Sequence, residues 1–215
     1  MKIYRLPPAI NALVFDMDLT LYTHDEYGQY QLDCVIEKFA KIRGVPFNEL
    51  YREIEDKRKT MTETLGRNPG LGNVLATYGV GIEDIVRWRE ELLEPAMFLK
   101  RDPRLRGTLE QLSHSFVLGV VTNNPVLVAR KTFDALGVSG LFTVVVGIDC
   151  CMVSKPHRKP FEKFAELSGC PPETCVSIGD RYDIDLAIPL ELGMGGILVD
   201  GVEDVYGLPE IVRSR

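Results

Sequence analysis

The sequence predicts an α/β fold, a parallel sheet with crossover helices interrupted by an inserted all-helical segment. Three observations point there. Short, nearly continuous apolar runs occur at residues 12–15, 116–121 and 143–146, with weaker ones at 175–178 and 196–199. Such runs suit strands buried on both faces, the habit of parallel sheets. Helical patterns lie between them: Val126, Ala129, Phe133 and Leu136 share one face before Gly137, and Phe161, Phe164 and Ala165 share another. From residue 116 onward, strands and helices therefore alternate, as in a sheet with crossover helices. The third observation is the stretch from Tyr22 to Arg104. Its runs LDCVIEKFAKI, FNELYREIEDKRKTM and IEDIVRWREELL have helical spacing, long charged faces and no buried-strand run. Pro95 and Pro103 stand near its end. The expected division is a core of residues 1–21 and 105–215 around a helical insertion, 22–104.

Composition narrows the class. A chain of 215 residues, 45% hydrophobic and 26% charged, can build a core and is not disordered. Its net charge of −6 is opposite in sign to the basic footprint of a phosphate-backbone binder, so no nucleic-acid partner is expected. Five cysteines (Cys34, Cys150, Cys151, Cys170, Cys175) are an odd number in no zinc spacing and read as reduced thiols of a cytoplasmic protein. The N-terminal stretch is broken by prolines and runs into acids, unlike a signal peptide, and no window approaches the roughly 20 apolar residues that span a bilayer.

Chemistry concentrates at the ends of the expected strands. The first strand runs into Asp16-Met17-Asp18-Leu19-Thr20, two carboxylates that an extended chain points to one side. Crowded carboxylates raise one another's pKa unless a cation sits between them, so the pair suggests a hard metal or a shared proton; the plainer alternative is a capped turn. The second run ends in Thr122-Asn123-Asn124-Pro125, opening a helix whose N–H groups favour an anion. Ser154-Lys155-Pro156 puts a cation in a later strand-to-helix loop, and Gly179-Asp180-Arg181-Tyr182-Asp183-Ile184-Asp185 adds acids after the fourth strand. In α/β sheets the carboxyl edge of the strands is where sites lie.

In this order, DMDLT, VVTNN, SKPHRKPF and IGDRYDID resemble the four motifs of the haloacid dehalogenase superfamily of phosphohydrolases, a Rossmann-like fold. The insertion resembles, by position and helical character only, the C1 cap of the phosphoglycolate phosphatases, pyrimidine nucleotidases and β-phosphoglucomutases. The resemblance implies an enzyme, a phosphoric monoester hydrolase. In it Asp16 would be the nucleophile and Asp18 the general acid and then base. Thr122 and the N–H of Asn123 would bind phosphoryl oxygens, and Lys155 would neutralise phosphate charge. Mg²⁺ would be held by the Asp16 carboxylate, the Asp18 carbonyl and Asp180, with Asp185, or Asp183, supporting its waters. Dehalogenases of the superfamily lack a carboxylate at the place of Asp18, because halide leaves without a proton, so a phosphatase or mutase is favoured. Arg181 and Ile184 depart from the small and polar residues usual there.

The implied partner is a small phosphate ester, whose identity and the oligomeric state stay open. Tyr22, His24, Arg67 and Asn68 are candidate substrate contacts; Lys57, Arg58, Lys59, Arg158 and Lys159 read as solvated charges, Trp88 and Cys34 as packing, and His114 and His157 receive no role. The alternatives are a phosphomutase of the same superfamily, a phosphoacceptor module, which is shorter and places its acids differently, and a silent phosphate-binding protein.

Overall fold

The apolar runs form the sheet they predict. A computed structural model describes residues 1–212, so residues 213–215 of the expected core lie outside the described residues. Five strands run parallel: β2 (Ala12–Phe15), β3 (Val117–Val121), β4 (Val144–Val146), β5 (Cys175–Gly179) and β6 (Gly195–Leu198). A sixth, β1 (Lys2–Arg5), pairs antiparallel with β6, and the order across the sheet is β1-β6-β5-β2-β3-β4. Sequence reading did not anticipate β1. All four of its residues are exposed, so it carries neither a buried run nor an alternation, and pairing with β6 alone makes it a strand. β2, flanked by β3 and β5, is buried along its whole length, as a central strand of a parallel sheet is.

The crossover helices begin and end where local chemistry says they should. α5 (Pro103–Ser113) starts with proline in its first turn, and the Asp102 side chain accepts a hydrogen bond from Leu105 N at 2.8 Å. α6 (Val126–Leu136) buries Ala129, Phe133 and Leu136 and stops at Gly137, whose left-handed φ of 74° is free only to glycine. α8 (Lys159–Ser168) buries Phe161 and Phe164. Against it, β3 carries a glycine for a steric reason: a Cβ on Gly119 would lie 2.2 Å from the Phe164 ring and 2.8 Å from the Val144 carbonyl oxygen. Gly119→Ala is expected to destabilise the protein by about 1–3 kcal/mol, the usual cost of overpacking, read as a lower urea midpoint with unchanged m-value.

Contacts divide the chain into two units, residues 1–25 with 94 onward, and Glu26–Leu93. The boundaries thus differ from the expected 22 and 104. Residues 94–104 join the sheet unit because the turn Pro95–Met97 packs on α6, Lys131 pairs with Glu94, and α5 packs on β3. The second unit is built from α1 (Asp25–Arg43), α2 (Phe47–Leu65), α3 (Leu71–Ala76) and α4 (Ile82–Leu92). Its core gathers Val35, Ile36, Leu50, Ile54, Leu75 and Trp88, with Trp88 stacked on Phe39 at 6.2 Å. Trp88 and Cys34 are therefore packing residues, and burial pushes the Cys34 thiol up to about 11. Lys57 and Lys59 are exposed, and Arg58 pairs with Glu55 at 2.9 Å. All five cysteines are free, and no helix of the described residues is long and apolar enough to cross a membrane.

Candidate active site

Strand register assembles the site. Phe15 lies beside Val120 on one side and Ile178 on the other, so one residue further Asp16 is level with the ends of β3 and β5. Its N–H donates to the Ile178 carbonyl at 2.8 Å. β3 hands over to Thr122, and β5 to Asp180. The chain leaves β2 toward β3 and β4 and later returns to β5 on the opposite side, so Asp16 and Asp180 flank the crevice where strand order reverses.

Lys155 closes the centre. Its ammonium sits 2.6 Å from Asp16 Oδ1 and 2.6 Å from Asp185 Oδ1, with the lysine side chain 2% exposed. Two carboxylates hold it protonated, and its pKa lies above the usual lysine range despite burial. Burial pushes the Asp16 carboxyl well above its usual range, an effect that Lys155 opposes and Asp185, Asp18 and Asp180 reinforce. Asp180 rises to about 6, chiefly by burial and next by Asp185. The Asn123 carboxamide fixes the lysine backbone: its Oδ1 accepts from Lys155 N at 2.6 Å and its Nδ2 donates to Lys155 O at 3.4 Å.

Asp18 is held apart from this cluster. Its Oδ1 accepts from the Tyr22 hydroxyl and its Oδ2 from Asn124 Nδ2 at 2.8 Å. Thr122 is buried, and its Oγ1 accepts from the Asn124 N–H at 3.1 Å. The two acids of DMD thus have different partners, a lysine for one and neutral donors for the other.

The family model for haloacid dehalogenase-like hydrolases matches residues 13–198, the span that carries every one of these groups. The chain belongs to the haloacid dehalogenase-like hydrolase family. A phosphoglycolate phosphatase from Aquifex aeolicus is 29% identical over 187 residues, covering 82% of this chain and 78% of that protein. One from Shigella boydii is 33% identical over 135 residues, 61% of this chain and 53% of that protein, so this second match spans about half of its length. Among solved structures, a HAD phosphatase from Thermococcus onnurineus has a TM-score of 0.64 at 21% identity, covering 96% of this chain and 99% of that one, a likeness of fold. As a member of the family the chain is a hydrolase.

Within this haloacid dehalogenase-like core the residues fit a hard divalent ion. Asp16, Asp180 and Asp185 each bring a carboxylate oxygen within 4.8 Å of the others, an all-oxygen donor set. Lys155 is the cation bonded to two of these three acids, so the cluster keeps surplus negative charge for a metal to offset.

Several expectations change. Asp185 spends its Oδ1 on Lys155 and its Oδ2 on the Arg181 N–H at 3.1 Å, so it clamps the lysine rather than serving only a metal's waters. Asp183 lies outside the cluster, paired with the Arg181 side chain at 3.1 Å. The first N–H of α6, expected to favour an anion, donates to the Asp149 carboxylate of this chain, at Oδ1 and 3.0 Å. Tyr22 is 4% exposed and engages Asp18, and the His24 ring packs edge-on to Phe98 at 6.0 Å. Arg67 and Asn68 belong to the second unit, on the connection between α2 and α3.

Gly179, Ser177 and Asn124 were missed. Residues 182–186 form a π turn that swings Asp185 back over β5, where Ser177 Oγ donates to the Asp185 carbonyl at 2.7 Å. A Cβ on Gly179 would stand 2.4 Å from Asp185 Cβ. The glycine after the apolar run was the only trace of this in the sequence. Gly179→Ala is expected to displace Asp185 from Lys155 and lower turnover by about 10²-fold, the scale of a misplacement near 1 Å, measured as kcat beside circular dichroism of the folded variant.

Proposed function

We propose that the protein is a Mg²⁺-dependent phosphatase that hydrolyses a small phosphate monoester through an aspartyl phosphate on Asp16. The observation that carries this reading is the separation of the two acids: Asp16 bonded to Lys155, Asp18 bonded to Tyr22 and Asn124. Two carboxylates in different environments can take different roles.

In this reading an Asp16 oxygen attacks phosphorus and the bond to the leaving oxygen breaks as that oxygen takes a proton from Asp18. Asp18, now a carboxylate, removes a proton from water as the water attacks the same phosphorus. The bond to Asp16 breaks and phosphate leaves. Lys155 offsets charge on Asp16 and the phosphoryl oxygens, and Thr122 supplies a hydroxyl at the neighbouring strand end. Asp16, Asp180 and the Asp18 carbonyl would hold Mg²⁺. When bound, it supplies positive charge to the phosphoryl oxygens. Free thiols support a cytoplasmic setting.

The test is phosphate release with Mg²⁺ from p-nitrophenyl phosphate, phosphoglycolate, nucleoside monophosphates and hexose phosphates; phosphoglycolate leads because the relatives named above are phosphoglycolate phosphatases. Release that stops with EDTA and returns with Mg²⁺ is the expected result. Absence of release from every ester, with phosphate transfer between sugar phosphates under a bisphosphate activator, would replace the hydrolase with the mutase.

A further inference from the structure

We infer that Tyr22 and Asn124 are positioning residues that hold the Asp18 carboxyl group in one orientation, one partner on each oxygen. The inference deepens the phosphatase reading and rests on it. The Asn124 Nδ2 donates to Asp18 Oδ2 at 2.8 Å, which pins that oxygen toward the start of α6. The Tyr22 hydroxyl donates to the other oxygen, Oδ1, so the two oxygens are held by two different elements of the chain. Held at both oxygens, the acid keeps one orientation through both halves of the reaction.

The two partners are themselves fixed. Asn124 is 1% exposed. Its N–H donates to Thr122 Oγ1 at 3.1 Å and its carbonyl accepts from the Ile148 N–H at 3.1 Å, which ties it to α7 (Ile148–Cys151). Gly147 leaves room for that contact, since a Cβ there would lie 2.8 Å from the Asn124 carbonyl oxygen. Tyr22 returns to Asp18 through a backbone bridge as well as its hydroxyl, so the turn after the DMD motif folds back on its own second acid. The nucleophile's bond to Lys155 is made by neither residue.

A protonating acid matters in proportion to the need of the leaving group. p-Nitrophenolate departs as a stable anion, whereas an alkoxide requires the proton. The value of kcat/KM covers the steps through loss of the alcohol and excludes hydrolysis of the aspartyl phosphate. The experiment compares kcat/KM for p-nitrophenyl phosphate and for an alkyl phosphate in wild type, Tyr22→Phe and Asn124→Ala, with Asp18→Asn as reference. Each positioning variant is expected to lose about 10- to 100-fold on the alkyl ester, part of the general-acid effect, and less than about threefold on the aryl ester. Asp18→Asn is expected to show the same selectivity, more strongly. Parallel losses on both esters, or no loss on either, in an active wild type overturn the positioning role alone. A wild type inert on both esters overturns the phosphatase reading and this inference with it.

Discussion

Asp16→Asn is expected to lower phosphate release by at least about 10⁴-fold, the scale seen when a covalent nucleophile is removed, while the protein stays folded. Asparagine keeps the shape and an acceptor oxygen for Lys155 but cannot form the acylphosphate. Its effect on stability runs the other way. Asp16 is a buried acid whose charged form is disfavoured by burial, favoured by Lys155 and opposed by three neighbouring carboxylates. Because burial and repulsion outweigh the lysine, removing that charge relieves strain in the metal-free protein. The metal-free melting temperature is therefore expected to equal or exceed that of wild type. Mg²⁺, which stabilises a folded state it binds by mass action, is expected to raise the melting temperature of Asp16→Asn less than that of wild type. A calorimetric scan with and without Mg²⁺ checks both statements, and a large fall in the metal-free midpoint would contradict the charge argument.

Lys155→Met is expected to have the opposite signature, losing stability as well as turnover. Methionine fills much of the stem's volume but leaves Asp16 and Asp185, each 2.6 Å from the ammonium in wild type, without their common cation. Removing one partner of a buried ion pair costs about 3–5 kcal/mol, which in a protein of this size lowers the melting temperature on the order of 10 °C. Saturating Mg²⁺ is expected to restore part of the loss, because it brings charge to the same acids. Equal urea midpoints for metal-free Lys155→Met and wild type would show that the lysine does not hold the acids together. Together the two variants separate the roles of a charge pair: removing the anion removes chemistry, and removing the cation also removes the counter-charge that keeps the acids buried.

The strands of the core were legible because burial on both faces demands uninterrupted apolar residues. ALVF, VLGVV and CVSIG are such runs, and each ends directly on the residues of a motif. β1 was illegible for the converse reason: an exposed edge strand needs only a partner, and partners are not local. Contacts place residues 94–104 with the sheet, whereas prolines in the sequence mark only where the chain turns and not which body it then joins.

Of the site, local sequence determined the kinds of residue and their place at strand ends. It determined that Asp16, Asp18, Thr122, Lys155 and Asp180 meet one edge, since in a parallel sheet every carboxyl end faces the same way. The tertiary structure decided the pairings. Asp185 became the second clamp on Lys155, Asp183 was left to Arg181, and Asn123 and Asn124, neighbours in sequence, were sent to Lys155 and Asp18 respectively. The physical reason is reach. A hydrogen bond forms over about 3 Å, so which donor meets which carboxylate depends on strand register, a π turn and the absence of a Cβ at Gly179, none of which a linear spacing encodes.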